Sequence, residues 1–278
     1  MTLKSRYWAD LGTRDFAKLK TSGQAERTVA VLPVAAIEQH GPHLPLSVDA
    51  TLIDGVVQAS LAHLPAELQV LFLPTSQVGY SPEHGDFPGT LTLSSETVVR
   101  MWTEIGACVA RAGLRRLVLF NGHGGQVSLM DIVARELRSR HGLIVYSASW
   151  YSLPLGDEVR GLFSPDEHRF GVHAGDVETS LMLALRPQWV DMSRAANFSS
   201  TARDRAARYP ILGNGSSAKL GWQMQDYNPQ GAAGNALAAS EAKGRAVLDA
   251  AARQLALMLQ EVAELPLSTA VDKPSMPD

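Results

Sequence analysis

Thr28-Val29-Ala30-Val31-Leu32-Pro33 is a short apolar run without polar alternation, followed by the loop Glu38-Gln39-His40-Gly41-Pro42-His43 and a helical period from about Ala50 to Leu61. A strand apolar on both faces is buried on both faces, the habit of parallel sheets covered by crossover helices. The pattern recurs outward from it. Gln69-Val70-Leu71-Phe72-Leu73 reads as a second strand, and Ser94 or Ser95 caps a helix toward Ala112 with Val98, Met101, Trp102, Ile105 and Val109 on one face. Leu117-Val118-Leu119-Phe120 follows, then a helix from about Gln126 to Arg140 with Val127, Met130, Val133, Ala134 and Leu137 inward, then the apolar strand Leu143-Ile144-Val145-Tyr146. Strands alternating with helices predict an α/β fold with a mostly parallel sheet covered on both sides.

The second half is less regular. Ser152 to Gly171 reads as loop, and Glu178 to Leu185 as a helix burying Leu181, Met182 and Leu185. Residues 193–234 are polar and turn-rich, fitting an insertion, an oligomer contact or a lid. Ala236 to Val262 carries the longest helical period, with Val247, Ala251, Leu255, Met258 and Val262 on one stripe. We expect one domain over residues 1–265 and a mobile tail over 266–278.

The chain has 278 residues, 45% hydrophobic and 19% charged, a balance that argues against disorder. A net charge of −3 with scattered Lys and Arg excludes a basic nucleic-acid face. No apolar stretch is long enough to span a membrane and the first ten residues lack a signal-peptide pattern, so a cytoplasmic protein is expected. Its single cysteine, Cys108, reads as a small buried core residue.

In open parallel sheets, ligands lie beyond the carboxyl ends of the strands. Three loops rich in acids and histidines follow the first three strands: Glu38 to Asp49, Ser81 to Gly89 with Glu83-His84, and Asn121-Gly122-His123-Gly124-Gly125. A fourth cluster, His173-Ala174-Gly175-Asp176-Val177-Glu178, opens a later helix. Imidazole and carboxylate are preferred ligands of divalent metals, so the convergence points to a metal-dependent enzyme. Glu38 and His40, two residues apart, project to one side of an extended segment. Asp49 suits either a helix cap or a carboxylate bridging two cations. Gly124 and Gly125 permit close approach of backbone N–H groups to a ligand. Glu83 and His84 fit substrate contacts, a supporting partner or solvated loop residues, while Tyr80, Trp150 and Tyr151 fit pocket lining or packing.

Taken together, Glu38-Gln39-His40-Gly41-Pro42-His43-Leu44-Pro45-Leu46 with Asp49, Glu83-His84 with Phe87-Pro88-Gly89-Thr90, Asn121-Gly122-His123-Gly124-Gly125, and His173-Ala174-Gly175 with Glu178-Thr179-Ser180 resemble the creatininase family of metal-dependent amidohydrolases. The resemblance covers about residues 28 to 250. It implies a three-layer α/β/α sandwich, two divalent metal ions (Zn, Mn or Fe), hydrolysis of a C–N bond in a small amide, cyclic amide or formamide, and a homohexamer. Carried over by position, it implies that Glu38 and His123 ligate one metal, that His40 and Glu178 ligate the other, and that Asp49 bridges them; from that ligand set, His173, five residues before Glu178, is expected to donate a proton to the departing nitrogen. Tyr80, Glu83, His84, Gly124 and Gly125 are then expected at the substrate. Creatininase itself has a glutamate where this chain has Gly125, which argues against creatinine as substrate. The Gly-Gly version looks more like relatives that deformylate a formamidopyrimidine nucleotide or trim the mycofactocin precursor peptide. Gln126 replaces the usual asparagine and Gly234-Asn235-Ala236 a usual Gly-Asp-Pro, changes expected to retune substrate contacts. A peptidase or a non-catalytic metal-binding scaffold is the alternative.

Overall fold

A computed structural model of the chain describes residues 3–271 and 273–276. Four strands form the central sheet: β1 (Val29–Val34), β2 (Val70–Phe72), β3 (Arg116–Asn121) and β4 (Ile144–Ser149). They lie in the order β2-β1-β3-β4 with every pairing parallel. Helix α1 (Thr13–Thr21) precedes β1, and α2 (Val48–Ser60), α3 (Ser95–Arg111) and α4 (Val127–His141) are the three crossovers. Beyond β4 come α5 (Asp157–Arg160), α6 (Pro165–Phe170), α7 (Asp176–Leu185), α8 (Ala202–Arg208), α9 (Met224–Tyr227) and α10 (Glu241–Glu264). A small antiparallel pair, β5 (Asn197–Phe198) with β6 (Gly234–Asn235), stands apart from the main sheet.

Alternation along β1 divides the core. Val29 and Val31 face the layer that holds α2, α7 and α10, where Ile53, Val56, Leu181, Ala251 and Leu255 are buried. Ala30, Leu32 and Val34 face the opposite layer, where Leu19 of α1, Val98 and Trp102 of α3 and Met130, Val133 and Leu137 of α4 close over them. This is the α/β/α sandwich that the resemblance implies. Ser94 is the cap of α3, its hydroxyl accepting from the N–H of Thr97. No helix among the described residues is long and apolar enough to cross a membrane.

Several local expectations are corrected. β4 is an edge strand with only its ends buried, so Tyr146 is exposed although the run is apolar. Val127 is exposed because it opens α4 on the outer side of the turn, and Cys108 is exposed on the solvent face of α3. Residues 152–171 hold the short helices α5 and α6 rather than continuous loop. α10 begins at Glu241, capped by Ser240, because residues 236–238 form a separate 3-10 turn. Leu267–Thr269 of the tail form another 3-10 turn, and Arg138 donates to the carbonyl of Val271. Asp272, Pro277 and Asp278 lie outside the described residues.

Candidate metal centre

Because all four strands run parallel, the loops after β1, β2 and β3 leave from one edge of the sheet. After β1, Glu38 is pinned by its N–H to the carbonyl of Leu46, 3.0 Å away, and Glu38 and His40 are both buried beneath the loop. Asp49 is the second residue of α2, and its carboxylate turns into the cluster instead of capping the helix. After β3, the Asn121 side chain closes the turn around His123, accepting its N–H at 3.0 Å and donating to its carbonyl at 2.6 Å. Gln126 then holds Asn121: its Nε2 donates to Asn121 Oδ1 at 2.9 Å and its Oε1 accepts from the N–H of Tyr80 at 3.2 Å. Gln126 is completely buried, so it braces the scaffold and does not face substrate, contrary to expectation.

His173 and Glu178 arrive from the turn into α7. Ala174 has φ of 53°, and its N–H donates to Glu178 Oε2 at 2.6 Å. The buried Glu167 carboxylate fastens this turn to β6, accepting from Asp176 N at 2.7 Å and Asn235 N at 2.8 Å. Gly175 is required there, since a Cβ would collide with Glu167 Oε1. Asn235, expected at substrate, thus serves this clamp through its backbone. Glu167→Ala is expected to lower the unfolding free energy by about 3 kcal/mol, two charge-assisted hydrogen bonds being lost, measured by urea denaturation.

The donor atoms converge around Asp49. Its Oδ1 is 3.5 Å from His40 Nε2, and its Oδ2 is 3.5 Å from His123 Nδ1. His123 Nδ1 is also 3.1 Å from Glu38 Oε1, and His40 Nε2 is 4.0 Å from Glu178 Oε1. Hydrogen bonds set the tautomers. His40 donates from Nδ1 to the Glu38 carbonyl at 3.0 Å and His123 from Nε2 to the Tyr80 carbonyl at 3.1 Å, leaving the inward nitrogen of each bare. His40 Nε2 and Asp49 Oδ2 are buried without a hydrogen-bond partner. Ligands about 2.0–2.2 Å from one tetrahedral cation stand roughly 3.3–3.6 Å apart, close to the spacings here, so the cluster fits divalent metal.

His84 belongs to a different role. Gln39 accepts from the Gly41 N–H at 2.9 Å and donates its amide to His84 Nδ1 at 2.7 Å, so the proton of His84 sits on Nε2 and points at Glu38 Oε1, 3.3 Å away. Ser81 donates to the other oxygen of Glu38. His173 donates from Nε2 to the Gln39 carbonyl at 2.6 Å, leaving Nδ1 3.8 Å from Glu38 Oε1. Glu38, His84 and His173, and likewise His40, His173 and Glu178, also stand close enough to share an ion. The committed proton on His84 weighs against the first of these sets.

The family model described as Creatininase, Creatinine amidohydrolase, matches residues 12–259. The chain belongs to the creatininase family. It is 31% identical over 207 residues to the creatinine amidohydrolase of Pseudomonas putida, covering 70% of this chain and 77% of that protein. It is 34% identical over 172 residues to the mycofactocin precursor peptide peptidase of Mycobacterium tuberculosis, covering 59% of this chain and 61% of that protein, less than two thirds of the relative's length. The fold is similar to that of a crystal structure of creatinine amidohydrolase, with a TM-score of 0.74, 28% identity, and coverage of 95% of this chain and 100% of that one. Solved creatininases of similar fold include a Zn-Zn form and a Mn form.

Within this family fold, a cavity of about 830 Å³ opens over the cluster. Glu38, Asp49, His123, His173 and Glu178 lie on its floor, while Trp150, Tyr151, Leu155, Phe163 and Trp222 form an apolar wall. Glu83, His84, Gly124 and Gly125 line it, but Tyr80 does not. The Tyr80 ring packs in the apolar layer beside α3 and α4, and only its backbone reaches the site. Trp222, passed over in the irregular 193–234 stretch, comes within 6.2 Å of His84 ring to ring. No periodicity marks it. Gln39 and Ser81 stand inside quoted motifs, yet their roles show only in hydrogen bonds.

The charges are crowded. Burial, then the neighbouring Glu38, raises the Asp49 carboxyl. Burial opposes protonation of His40, but Asp49, Glu178 and Glu38 outweigh it and push the imidazole up to about 9; His123 is likewise raised, against its burial, chiefly by Glu38. Burial and the charge on His40 push His173 down to about 3, so it is neutral at pH 7. In the creatininase-family protein stripped of metal, an imidazole raised from 6.5 to about 9 contributes stability that is fully present below 6.5 and lost as pH rises through about 9. Thermal melts in chelator are expected to fall across that window by on the order of 3 kcal/mol, while metal-loaded protein, its histidines already neutral ligands, falls less.

Proposed function

We propose that this chain is a metal-dependent amidohydrolase that hydrolyses a C–N bond of a small amide, cyclic amide or formamide. The observation that carries the reading is Asp49, whose two oxygens each face the bare nitrogen of a different buried histidine. Glu38 and His123 with Asp49 Oδ2 would hold one divalent cation, and His40 and Glu178 with Asp49 Oδ1 the other. Two cations held there supply hydroxide at neutral pH and polarise the scissile carbonyl. The choice among zinc, manganese and iron follows availability as much as affinity, since carboxylate and imidazole accept all three.

His173 handles the proton. Its Nε2–H is committed to Gln39, so Nδ1 is the atom that would carry a proton to the departing nitrogen. Glu38 is oriented by Ser81 and His84.

A second reading, peptidase action on a short precursor peptide, is favoured by the cavity, whose volume of about 830 Å³ and apolar wall exceed the needs of a single small ring. Homohexameric assembly belongs to the proposal through the family resemblance, and cytoplasmic location through the sequence reading. The test is turnover of formamides, lactams and short peptides by protein loaded with Zn²⁺ or Mn²⁺, with chelated protein as control. Hydrolysis of any of them, lost on chelation, supports an enzyme; no turnover by metal-loaded protein across the three classes favours the scaffold.

A further inference from the structure

We propose that Glu83 is a positioning residue that orients His123 from the side opposite the metals. The inference rests on the two-cation reading above. Glu83 comes from the turn Pro82–His84, which supplies none of the five ligands assigned there. Its carboxylate is buried, with Oε1 3.2 Å from His123 Nε2 and without a well-aligned hydrogen bond, so its pull on the imidazole is electrostatic. The His123 Nε2–H is aimed at the Tyr80 carbonyl 3.1 Å away, and the Glu83 carboxylate lies beside it at ion-pair distance. A carboxylate behind an imidazole fixes the proton on the outer nitrogen and makes the inner one a better ligand.

Gly125 makes room for this contact. A Cβ at that position would collide with Glu83 Oε1 and lie 2.5 Å from His123 Nε2, so any side chain at 125 would displace one or both. Gly125 is thereby tied to Glu83, and the two positions form a unit. The same turn presents His84, whose Nε2–H faces Glu38 Oε1 at 3.3 Å. One three-residue turn thus braces the two ligands assigned to one cation, Glu38 and His123, and touches neither His40 nor Glu178. The consequence is asymmetric: loss of Glu83 weakens one site and spares the other.

The test is Zn²⁺ titration of full-length, chelator-stripped protein against a chromogenic competitor, for wild type, Glu83→Ala and the isosteric Glu83→Gln, with far-UV circular dichroism to confirm folding. Wild type is expected to bind about two Zn²⁺ per chain. Glu83→Ala is expected to lose roughly 10–100-fold in affinity at one site only, and Glu83→Gln, which keeps an acceptor without the charge, to recover part of that loss. Unchanged affinity at both sites in folded Glu83→Ala, or equal loss at both, overturns the positioning role while leaving the metal reading intact. Should Glu83→Ala fail to fold, Glu83→Gln decides, and wild-type affinity at both sites overturns the proposal. Absence of Zn²⁺ binding by wild type removes the metal reading itself, and this inference with it.

Discussion

Asp49→Ala protein, purified without chelator, is expected to carry almost no metal where wild type carries about two ions per chain, and to lose at least about 10³-fold in turnover. The size of the effect follows from geometry. Each oxygen of Asp49 stands 3.5 Å from a different bare imidazole nitrogen, so one substitution takes a ligand from both sites. Neither other carboxylate can take its place: Glu38 contacts the His123 side and its second oxygen accepts from Ser81, while Glu178 contacts the His40 side and its second oxygen accepts from the N–H of Ala174. The chelated variant should lose most of the pH-dependent stability seen in chelated wild type, because Asp49 is the first of the carboxylates that raise His40, so its melts should change less between pH 6.5 and about 9. Metal analysis by inductively coupled plasma mass spectrometry, with melts of both chelated proteins, checks both statements. Retention of two ions by Asp49→Ala would falsify the bridged site.

His173→Ala should behave in the opposite way, keeping its metals and losing roughly 10²–10⁴-fold in kcat, the usual range for removal of a general acid-base group. His173 lies against the cluster, its ring 4.1 Å from that of His40, yet its Nδ1 is 3.8 Å from the nearest Glu38 oxygen and its other nitrogen is bound to backbone. Metal content separates the two roles this residue could play. Two ions retained with a collapsed rate assign proton transfer, and a pH-rate profile that loses one limb would agree. One ion lost would make His173 a ligand of the His40 and Glu178 site, with which it shares a possible donor set.

Much of the architecture was legible because it depends on local pattern. The apolar runs at β1 and β3 had to be buried on both faces, the helical periods between them had to cross over, and parallel strands had to deliver their loops to one edge. Local pattern alone therefore brings Glu38, His40, Asp49 and His123 to one edge of the sheet. It failed where burial depends on position in the sheet. β4 looks like the other strands but lies at the edge, and Val127 and Cys108 have apolar character on faces that nothing covers.

The ligand residue types and their convergence were determined by the sequence itself, because residue chemistry and strand-to-helix order survive without knowledge of distances. Which atom of each residue does what was decided only by the tertiary structure. His40 and His84 are indistinguishable as letters, yet a carbonyl frees the inward nitrogen of one and a glutamine amide commits the inward nitrogen of the other. Tyr80 turned from expected substrate contact to packing with a working carbonyl, Gln126 and Asn235 from substrate contacts to braces, and Glu83 to a neighbour of His123 made possible by the space at Gly125. These assignments depend on hydrogen-bond directions and on volumes shared by residues distant in sequence. Neither quantity is carried by local periodicity.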